Sequence, residues 1–279
     1  MQFTKMHGAG NDYIYIDARH LERDWPALAV SMSDRHTGVG SDGIILLASS
    51  EGADLRMRMY NADGSEGEMC GNGIRCLVKF AVDKGFVPND RSPVSVETLA
   101  GVRQVTPKWD RGEMVRARVG MGEPIFRPED IPVVAPGVEV VIDYPLQVNG
   151  YDLNVTCLSM GNPHAVAFVE QPVDDFPLHE LGPIVEHHEM FPRRVNFEIV
   201  NLVDVGHVKA RVWERGSGLT MACGSGASAL AVAARLHGHV GDEVTVSLPG
   251  GELIVNWTGE GEVVLEGPIE EVFQGEWPD

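Results

Sequence analysis

The chain has 279 residues, 43% of them hydrophobic, which is enough for about two domains with substantial cores. With 22 lysine and arginine residues against 41 aspartate and glutamate residues, its formal net charge is −19. A polyanionic partner would be repelled, which argues against nucleic acid and anionic membranes. Because no stretch resembles a signal peptide or approaches the roughly 18 apolar residues of a membrane span, we expect a cytoplasmic protein.

The first predicted element is a strand at Tyr13–Asp17, which follows the turn-like residues Gly10, Asn11 and Asp12. A segment from Arg58 to Gly85 comes next and is centred on Cys70. Its apolar residues after the cysteine recur at helical spacing, which predicts an amphipathic helix that begins at Cys70 and ends before Gly85.

Alternating β-type residues at 93–101 and 114–119 then predict antiparallel strands. The stretch 120–137 is rich in proline and glycine, which suits a crossover between domains. We place a domain boundary near residue 122. A further strand is predicted at Leu153–Ser159.

The rest of the chain repeats the first part. Arg211–Gly238 aligns with Arg58–Gly85 without a gap, at a constant offset of 153 from Cys70 to Cys223. Gly161, Asn162 and Pro163 precede a strand, as Gly10, Asn11 and Asp12 do, and β-rich stretches follow at 243–251 and 262–266. The helix after Cys223 is apolar nearly all round, which predicts a central helix surrounded by protein. Two related halves are therefore expected.

The equivalent cysteines Cys70 and Cys223 are the predicted reactive groups. A helix start offers free backbone N–H groups and about half a positive charge, so it can stabilise a thiolate and hold a carboxylate beside it. One thiolate could remove a proton from a substrate α-carbon while the opposite thiol delivers one, which inverts the configuration. Acidic residues before Cys70 would oppose its ionisation, whereas Arg215 could favour that of Cys223.

The other two cysteines, Cys76 and Cys157, are interpreted as core residues. Without a C-x-x-C pair, metal-ligand spacing or a dinucleotide fingerprint, the sequence predicts neither a metal site nor a cofactor.

The chain resembles the diaminopimelate epimerase family along nearly its whole length. The resemblance rests on five motifs in order: Lys5–Tyr13, Tyr60–Gly64 leading to Met69–Arg75, Gly161–His164, Arg194–Phe197, and Glu214–Gly216 leading to Ala222–Ala227. It implies a cofactor-independent epimerase that converts LL-2,6-diaminopimelate to the meso form in lysine and peptidoglycan biosynthesis. The implied α/β fold has two pseudo-symmetric halves, residues 1–122 with 268–279 and residues 123–267. Each half is a curved, mainly antiparallel sheet around a central helix.

The resemblance also implies roles for individual residues. Cys70 and Cys223 would be the acid/base pair, with His164 and Glu214 tuning their pKa. The implied substrate-binding residues are Asn11, Asn61, Gly71, Asn72, Asn162, Asn196, Glu214, Arg215, Gly224 and Ser225. The family implies an active site between the halves and a homodimer. Two departures stand out, Gly43 where many members carry glutamine and Leu219 where glutamate is usual.

Other functions compete with this interpretation. A proline or hydroxyproline racemase shares the fold and cysteine pair, but it would not obviously need Arg215 and several asparagines. A thiol redox enzyme would favour a C-x-x-C pair, and a Cys-His-Asn hydrolase would leave one duplicated cysteine without a role. An amino-acid-binding protein in which the cysteines merely cap helices is the remaining alternative.

Overall fold

The chain forms two compact units in a computed structural model whose description extends over residues 1–278. The first unit is Met1–Gly120 together with the stretch from Glu266 onward, and the second is Met121–Leu265. The boundaries expected from the sequence, after residues 122 and 267, lie two residues further along the chain. Within residues 1–278, no helix has the length and apolar character needed to cross a membrane.

The described residues contain four helices and eighteen strands. The helices are α1 (Trp25–Ser33), α2 (Gly71–Asp83), α3 (Leu178–Glu186) and α4 (Gly224–Leu236). The strands are β1 (Gln2–Gly8), β2 (Asn11–Asp17), β3 (Gly43–Ala48), β4 (Leu55–Asn61), β5 (Glu66–Gly67), β6 (Val94–Thr98), β7 (Gly101–Asp110), β8 (Glu113–Gly122), β9 (Tyr144–Val148), β10 (Tyr151–Ser159), β11 (Pro163–Phe168), β12 (Asn196–Asp204), β13 (His207–Glu214), β14 (Gly218–Leu219), β15 (Glu243–Leu248), β16 (Gly251–Asn256), β17 (Val263–Pro268) and β18 (Glu270–Glu276).

The sheet of the first unit runs β18-β1-β2-β3-β4-β6-β7-β8, with the short β5 also paired to β4. Only β2/β3 and β4/β6 are parallel pairs, and the other pairs are antiparallel. Parallel neighbours need a crossover connection, which α1 and α2 provide.

The second unit repeats this topology. Its strands run β9-β10-β11-β12-β13-β15-β16, with β14 paired to β13. The parallel pairs are β11/β12 and β13/β15, and α3 and α4 make the crossovers. The predicted α/β fold with two similar halves and mainly antiparallel sheet is therefore confirmed.

The helices that follow the two cysteines form the centre of each unit. Helix α2 packs on β1, β2, β3 and β7, and α4 packs on β10, β11, β12, β15 and β16. The apolar residues of α4 are buried on nearly every side, as predicted from its sequence. Cys76 and Cys157 are fully buried, which confirms their interpretation as core residues. Burial raises the pKa of Cys76 to about 12, so this thiol stays protonated at neutral pH.

The glycine Gly182 in α3 is required by a close approach to Trp213. A Cβ atom built there would lie 2.4 Å from the indole ring of Trp213. We expect Gly182→Ala to lower the free energy of unfolding by about 1–3 kcal/mol, because the rigid, partly buried indole ring packs against the core and cannot move away without strain. Urea denaturation would measure the change. Gly52→Ala is the control, since a Cβ there meets no atom within 4 Å. Equal stability of the two variants would contradict this account of the α3 packing.

Candidate active site

Cys70 and Cys223 are the N-cap residues of α2 and α4. The Cys70 Sγ accepts a hydrogen bond from the backbone N–H of Gly73 at 3.3 Å, and the Cys223 Sγ accepts one from Gly226 at 3.3 Å. Both cysteines have extended backbone angles (φ −130°, ψ 120° and φ −117°, ψ 117°). A thiol in this position replaces the usual hydroxyl or carboxylate cap, and it points toward the free N–H groups of the first helical turn. The predicted helix starts are therefore confirmed.

The glycines three residues after the cysteines leave room for packed neighbours. A Cβ at Gly73 would lie 2.4 Å from the Ile45 Cδ1. A Cβ at Gly226 would lie 2.9 Å from the Glu198 Oε1 and 3.3 Å from the Cys223 Sγ. The sequence pattern C-G-x-G therefore lets each helix start approach the strands beneath it, and it brings Glu198 close to the Cys223 cap.

Amide side chains surround Cys70 in the first unit. Cys70 donates its S–H to the Asn11 Oδ1 at 3.3 Å, and the Asn72 Nδ2 lies 3.4 Å from the same oxygen. The Asn11 Nδ2 donates to the Asp42 carboxylate at 2.7 Å. Asn72 is 1% exposed, so its side chain positions Asn11 from inside the unit. The phenol of Tyr13 also interacts with Cys70, and burial is the main reason that its pKa is raised, so it keeps its proton.

The acidic residues near the first site are paired with cations. Burial acts to raise the pKa of Asp12. Hydrogen bonds from Arg35 and Lys5 outweigh this effect and lower that pKa. Burial and the neighbouring Asp12 raise the pKa of Asp42, which Arg35 contacts at 2.9 Å. At the end of β4, the Asn61 Nδ2 donates to the Ser65 Oγ at 2.9 Å, and Asn61 is half-buried.

The departure at Gly43 has a steric cause. Gly43 has φ +156°, and a Cβ there would lie 2.2 Å from the Tyr60 carbonyl oxygen on β4. A glutamine could not be accommodated without moving the backbone, because the obstacle is a backbone atom. The preceding residue, Asp42, supplies a carboxylate to Asn11 in this part of the chain. The other departure, Leu219, is exposed on β14 opposite Trp213.

A fully buried hydrogen-bonded pair, His164 and Glu198, lies beneath Cys223 in the second unit. The His164 Nδ1 lies 2.7 Å from the Glu198 Oε1, and both side chains are fully buried. The His164 Nε2 lies 2.9 Å from the Asn162 Oδ1, and the Asn162 Nδ2 donates to the Ser225 Oγ at 3.2 Å. This chain of contacts connects β12 and β11 to the first turn of α4. It brings together three of the predicted site residues, His164, Asn162 and Ser225.

The pKa of Cys223 is raised well above that of an ordinary thiol. Burial is the main cause, and the carboxylates of Glu214 and Glu198 add to it, while hydrogen bonds from Ser225 and Gly226 act in the opposite direction. The expectation that Arg215 and the helix start would favour a thiolate at Cys223 is therefore wrong, because desolvation and two acidic groups outweigh the N-terminus of α4. Cys223 is a protonated thiol at neutral pH.

Glu214 lies beside this thiol at the end of β13. Its carboxylate accepts a hydrogen bond from the Thr220 Oγ1 at 2.5 Å and interacts with Cys223. Burial raises the pKa of Glu214, so its proton can be exchanged with a neighbouring group closer to neutral pH than usual.

Asn196 and Arg215 are adjacent but differ in exposure. Asn196 is buried, donating its Nδ2 to the Pro163 carbonyl at 2.9 Å and accepting the Arg215 backbone N–H at 2.9 Å. This arrangement fixes the backbone at Arg215. The Arg215 side chain is exposed, and one of its N–H groups donates to the Arg193 carbonyl at 3.3 Å. A guanidinium has five such donors, which leaves most of its capacity for a carboxylate ligand.

The chain is similar to known proteins over the residues that form this site. The profile of the family described as "Diaminopimelate epimerase" matches residues 3–127 and 156–272, which include both cysteine caps. The chain belongs to the diaminopimelate epimerase family. A diaminopimelate epimerase of Methanococcus maripaludis strain S2 is 49% identical over 278 residues, covering 99% of each chain. The diaminopimelate epimerase of Acetivibrio thermocellus is 48% identical, covering 99% of this chain and 98% of its own.

Solved structures of more distant proteins share the fold. A phenazine biosynthesis protein of the PhzF family from Bacillus anthracis has a TM-score of 0.71 at 18% identity, with 100% of this chain and 99% of that chain covered. A hydroxyproline epimerase from Agrobacterium vitis has a TM-score of 0.69 at 16% identity, with 99% and 90% covered. At such low identity these likenesses show the fold alone.

Three neighbours of the predicted site residues were given no individual role by the sequence analysis of this diaminopimelate epimerase family member. Glu198 lies near Cys223, Tyr13 lies beside Cys70, and Asp42 accepts a hydrogen bond from the Asn11 side chain. Glu198 had a detectable signal, since it is a charge within the apolar run of β12, where burial requires a partner.

Within residues 1–278, no group of three or more His, Cys, Asp and Glu side chains is placed to hold a metal ion.

Proposed function

We propose that this protein epimerises LL-2,6-diaminopimelate to meso-diaminopimelate by cofactor-independent two-base catalysis. The observation that carries the proposal is the pair of thiol N-caps within a chain of this family. In each half the thiol lies beside free backbone N–H groups, which can bind the α-carboxylate next to the reacting carbon. A proton would leave one face of the α-carbon and another would arrive at the opposite face.

The two thiols are proposed to have opposite roles, and the pKa of Cys223 supports this. Cys223 carries its proton in the resting protein, because burial, Glu214 and Glu198 disfavour its thiolate. In the proposed mechanism Cys223 is the acid when the LL isomer is turned over. Cys70 is then the base, its thiolate taking the α-proton from the other face. Two-base catalysis requires one ionised and one protonated partner. For the reverse reaction the roles exchange.

Recognition of the rest of the substrate is proposed for the polar residues around the caps. Backbone N–H groups of Gly71 and Asn72, and those of Gly224 and Ser225, would bind the carboxylate at the reacting carbon. Arg215 would bind the distal carboxylate with its guanidinium fork, because bidentate pairing suits this geometry. Asn11, Asn61 and Asn162 can each donate and accept hydrogen bonds, which suits an ammonium beside a carboxylate. Asn196 would act by fixing the backbone at Arg215.

Turnover in heavy water tests the two-base mechanism. We expect deuterium to enter the product while early recovered substrate stays largely protiated, because the base removes the substrate proton on one face and the solvent-equilibrated acid supplies deuterium on the other. Proton NMR or mass spectrometry of both isomers during the first turnovers would measure this. Equal early labelling of substrate and product would indicate a single mobile base, and the division of roles between Cys70 and Cys223 would then be abandoned.

The biological setting is also proposed. We infer a cytoplasmic homodimer that supplies meso-diaminopimelate for lysine and peptidoglycan biosynthesis, in keeping with the negative charge and the family. Sedimentation equilibrium tests the dimer, because a mass near 30.4 kDa would indicate a monomer instead.

A further inference from the structure

Arg75 is a fully buried cation in α2, one turn after the Cys70 cap. Its Nη1 donates to the Gly71 carbonyl at 3.0 Å, and its Nη2 donates to the Asn72 Oδ1 at 2.8 Å. Its Nε is buried without a hydrogen-bond partner. Within the described residues, Arg75 forms no ion pair with a carboxylate. A buried charge without a counter-charge is costly, so such an arrangement calls for an explanation.

The groups that face Arg75 come from three elements. Cys76 lies on α2 together with Arg75, and Cys70 is the N-cap of that helix. Tyr15 comes from β2, and Arg116 comes from β8. Arg116 is paired with Glu266 at 3.0 Å, so its charge is compensated. Burial lowers the pKa of Arg75. The ordinary pKa of a guanidinium is so far above 7 that Arg75 remains charged.

Two of these neighbours stay neutral. Burial raises the pKa of Cys76 to about 12 and raises the pKa of Tyr15 well above its usual value. Among the neighbours of Arg75, Cys70 is thus the group whose ionisation the proposed reaction requires. A thiolate at Cys70 would supply the missing negative charge.

A hydrogen-bond path also joins the two residues. Arg75 donates a hydrogen bond to the Asn72 Oδ1. The Asn72 Nδ2 lies 3.4 Å from the Asn11 Oδ1, and this oxygen also accepts the Cys70 S–H at 3.3 Å. On its other side Asn11 contacts Asp42, whose charge is offset by Arg35. A Cβ at Gly8 on β1 would lie 3.2 Å from the Arg75 Nη2, so the guanidinium is closely enclosed. The charge is therefore held in one place beneath the Cys70 cap.

The second half provides an internal comparison at the same helical position. Ser228, which aligns with Arg75 at the offset of 153, donates its Oγ to the Gly224 carbonyl at 2.9 Å. This is the counterpart of the Arg75 bond to the Gly71 carbonyl. Because a serine suffices for that bond, the hydrogen bond alone does not require an arginine. In the first half, Arg75 adds a buried positive charge near Cys70. In the second half, the acidic residues Glu198 and Glu214 lie near Cys223 instead.

We propose that Arg75 is a positioning residue whose buried charge, acting across the first turn of α2, holds Cys70 as the resting thiolate. This inference rests on the proposed function, in which Cys70 is the base. When Cys70 ionises, its proton leaves to solvent and its S–H hydrogen bond to Asn11 is lost, while the sulfur keeps the electron pair and the hydrogen bond from the Gly73 N–H, so no further reactant is needed. The difference between the halves then decides which thiol is ionised at rest.

The test is the pH dependence of alkylation, mapped by peptide mass spectrometry after brief exposure of the full-length protein to iodoacetamide. Arg75→Gln keeps hydrogen-bond donors but removes the charge, and Arg75→Lys keeps the charge. We expect Arg75→Gln to raise the midpoint for Cys70 by about 1 pH unit or more, since a nearby cation shifts a thiol pKa by about that much. Arg75→Lys should restore most of the shift, and the acidic limb of the kcat/KM profile should move with the midpoint.

Ser228→Ala is the matched control, because it removes the equivalent carbonyl hydrogen bond without changing charge. It should leave the alkylation midpoint of Cys223 in place. If Arg75→Gln does not fold, Arg75→Met fills the same space without charge and carries the same comparison. An unshifted Cys70 midpoint in a folded, uncharged variant would overturn the proposal and leave Arg75 a packing residue. Alkylation does not depend on turnover, so failure of the proposed function would appear separately, as absent epimerisation.

Discussion

Replacing either Cys70 or Cys223 with alanine is expected to lower kcat for diaminopimelate epimerisation by about 10²–10⁴-fold, because each substitution removes the proton carrier on one face. Both variants should fold, since the free N–H groups of α2 and α4 can bind water in place of sulfur. Epimerisation can be followed by separating the two isomers chromatographically, and circular dichroism checks the fold. The similar loss from either variant is what distinguishes two-base catalysis from a mechanism with one essential cysteine.

Cys157→Ala is the matched control for these variants. Cys157 is fully buried in β10 and takes no part in the proposed chemistry, so its loss should affect stability more than turnover. If Cys70→Ala or Cys223→Ala keeps more than a small fraction of the parent activity while folded, a hydrolase-like or one-cysteine mechanism gains support. Ligand binding without turnover in the parent protein would favour the amino-acid-binding alternative.

Removing the guanidinium by Arg215→Ala is expected to lower kcat/KM for diaminopimelate by about 10–100-fold, because a hydrogen bond to a charged group contributes about 1.5–3 kcal/mol. Lysine, which lacks the distal carboxylate, should be a poor substrate of the parent protein for the same reason. Arg215→Lys should recover only part of the loss, since an ammonium cannot form the bidentate pair.

The control for Arg215 is Arg127→Ala, which changes the net charge equally at a highly exposed position. It should leave kcat/KM unchanged, so a comparable loss from both variants would attribute the effect to general electrostatics. Comparable turnover of proline and diaminopimelate by the parent protein would contradict the proposed substrate. The shared fold with hydroxyproline epimerase makes this comparison necessary, because the fold by itself does not determine the substrate.

Local sequence patterns determined much of the architecture. The repeat at an offset of 153 predicted two halves, and the glycines after Cys70 and Cys223 predicted two helix starts, since capping and helical periodicity depend on residues only a few positions apart. The apolar character of α4 predicted a central helix for the same reason. These features are properties of short segments, so they could be read without knowing the tertiary structure.

The electrostatic difference between the halves was decided by the tertiary structure. Glu198 is 25 positions before Cys223 in the sequence, yet β12 brings it beneath the cap, and burial removes the water that would screen its charge. Arg215 is closer to Cys223 in the sequence, but its side chain is exposed, so it does not stabilise the Cys223 thiolate as expected from its position. In the first half, the fold buries Arg75 beneath Cys70. Sequence alone identified the two thiols, and burial together with long-range neighbours decided the protonation of Cys223, because a pKa depends on solvation and distance rather than on spacing along the chain.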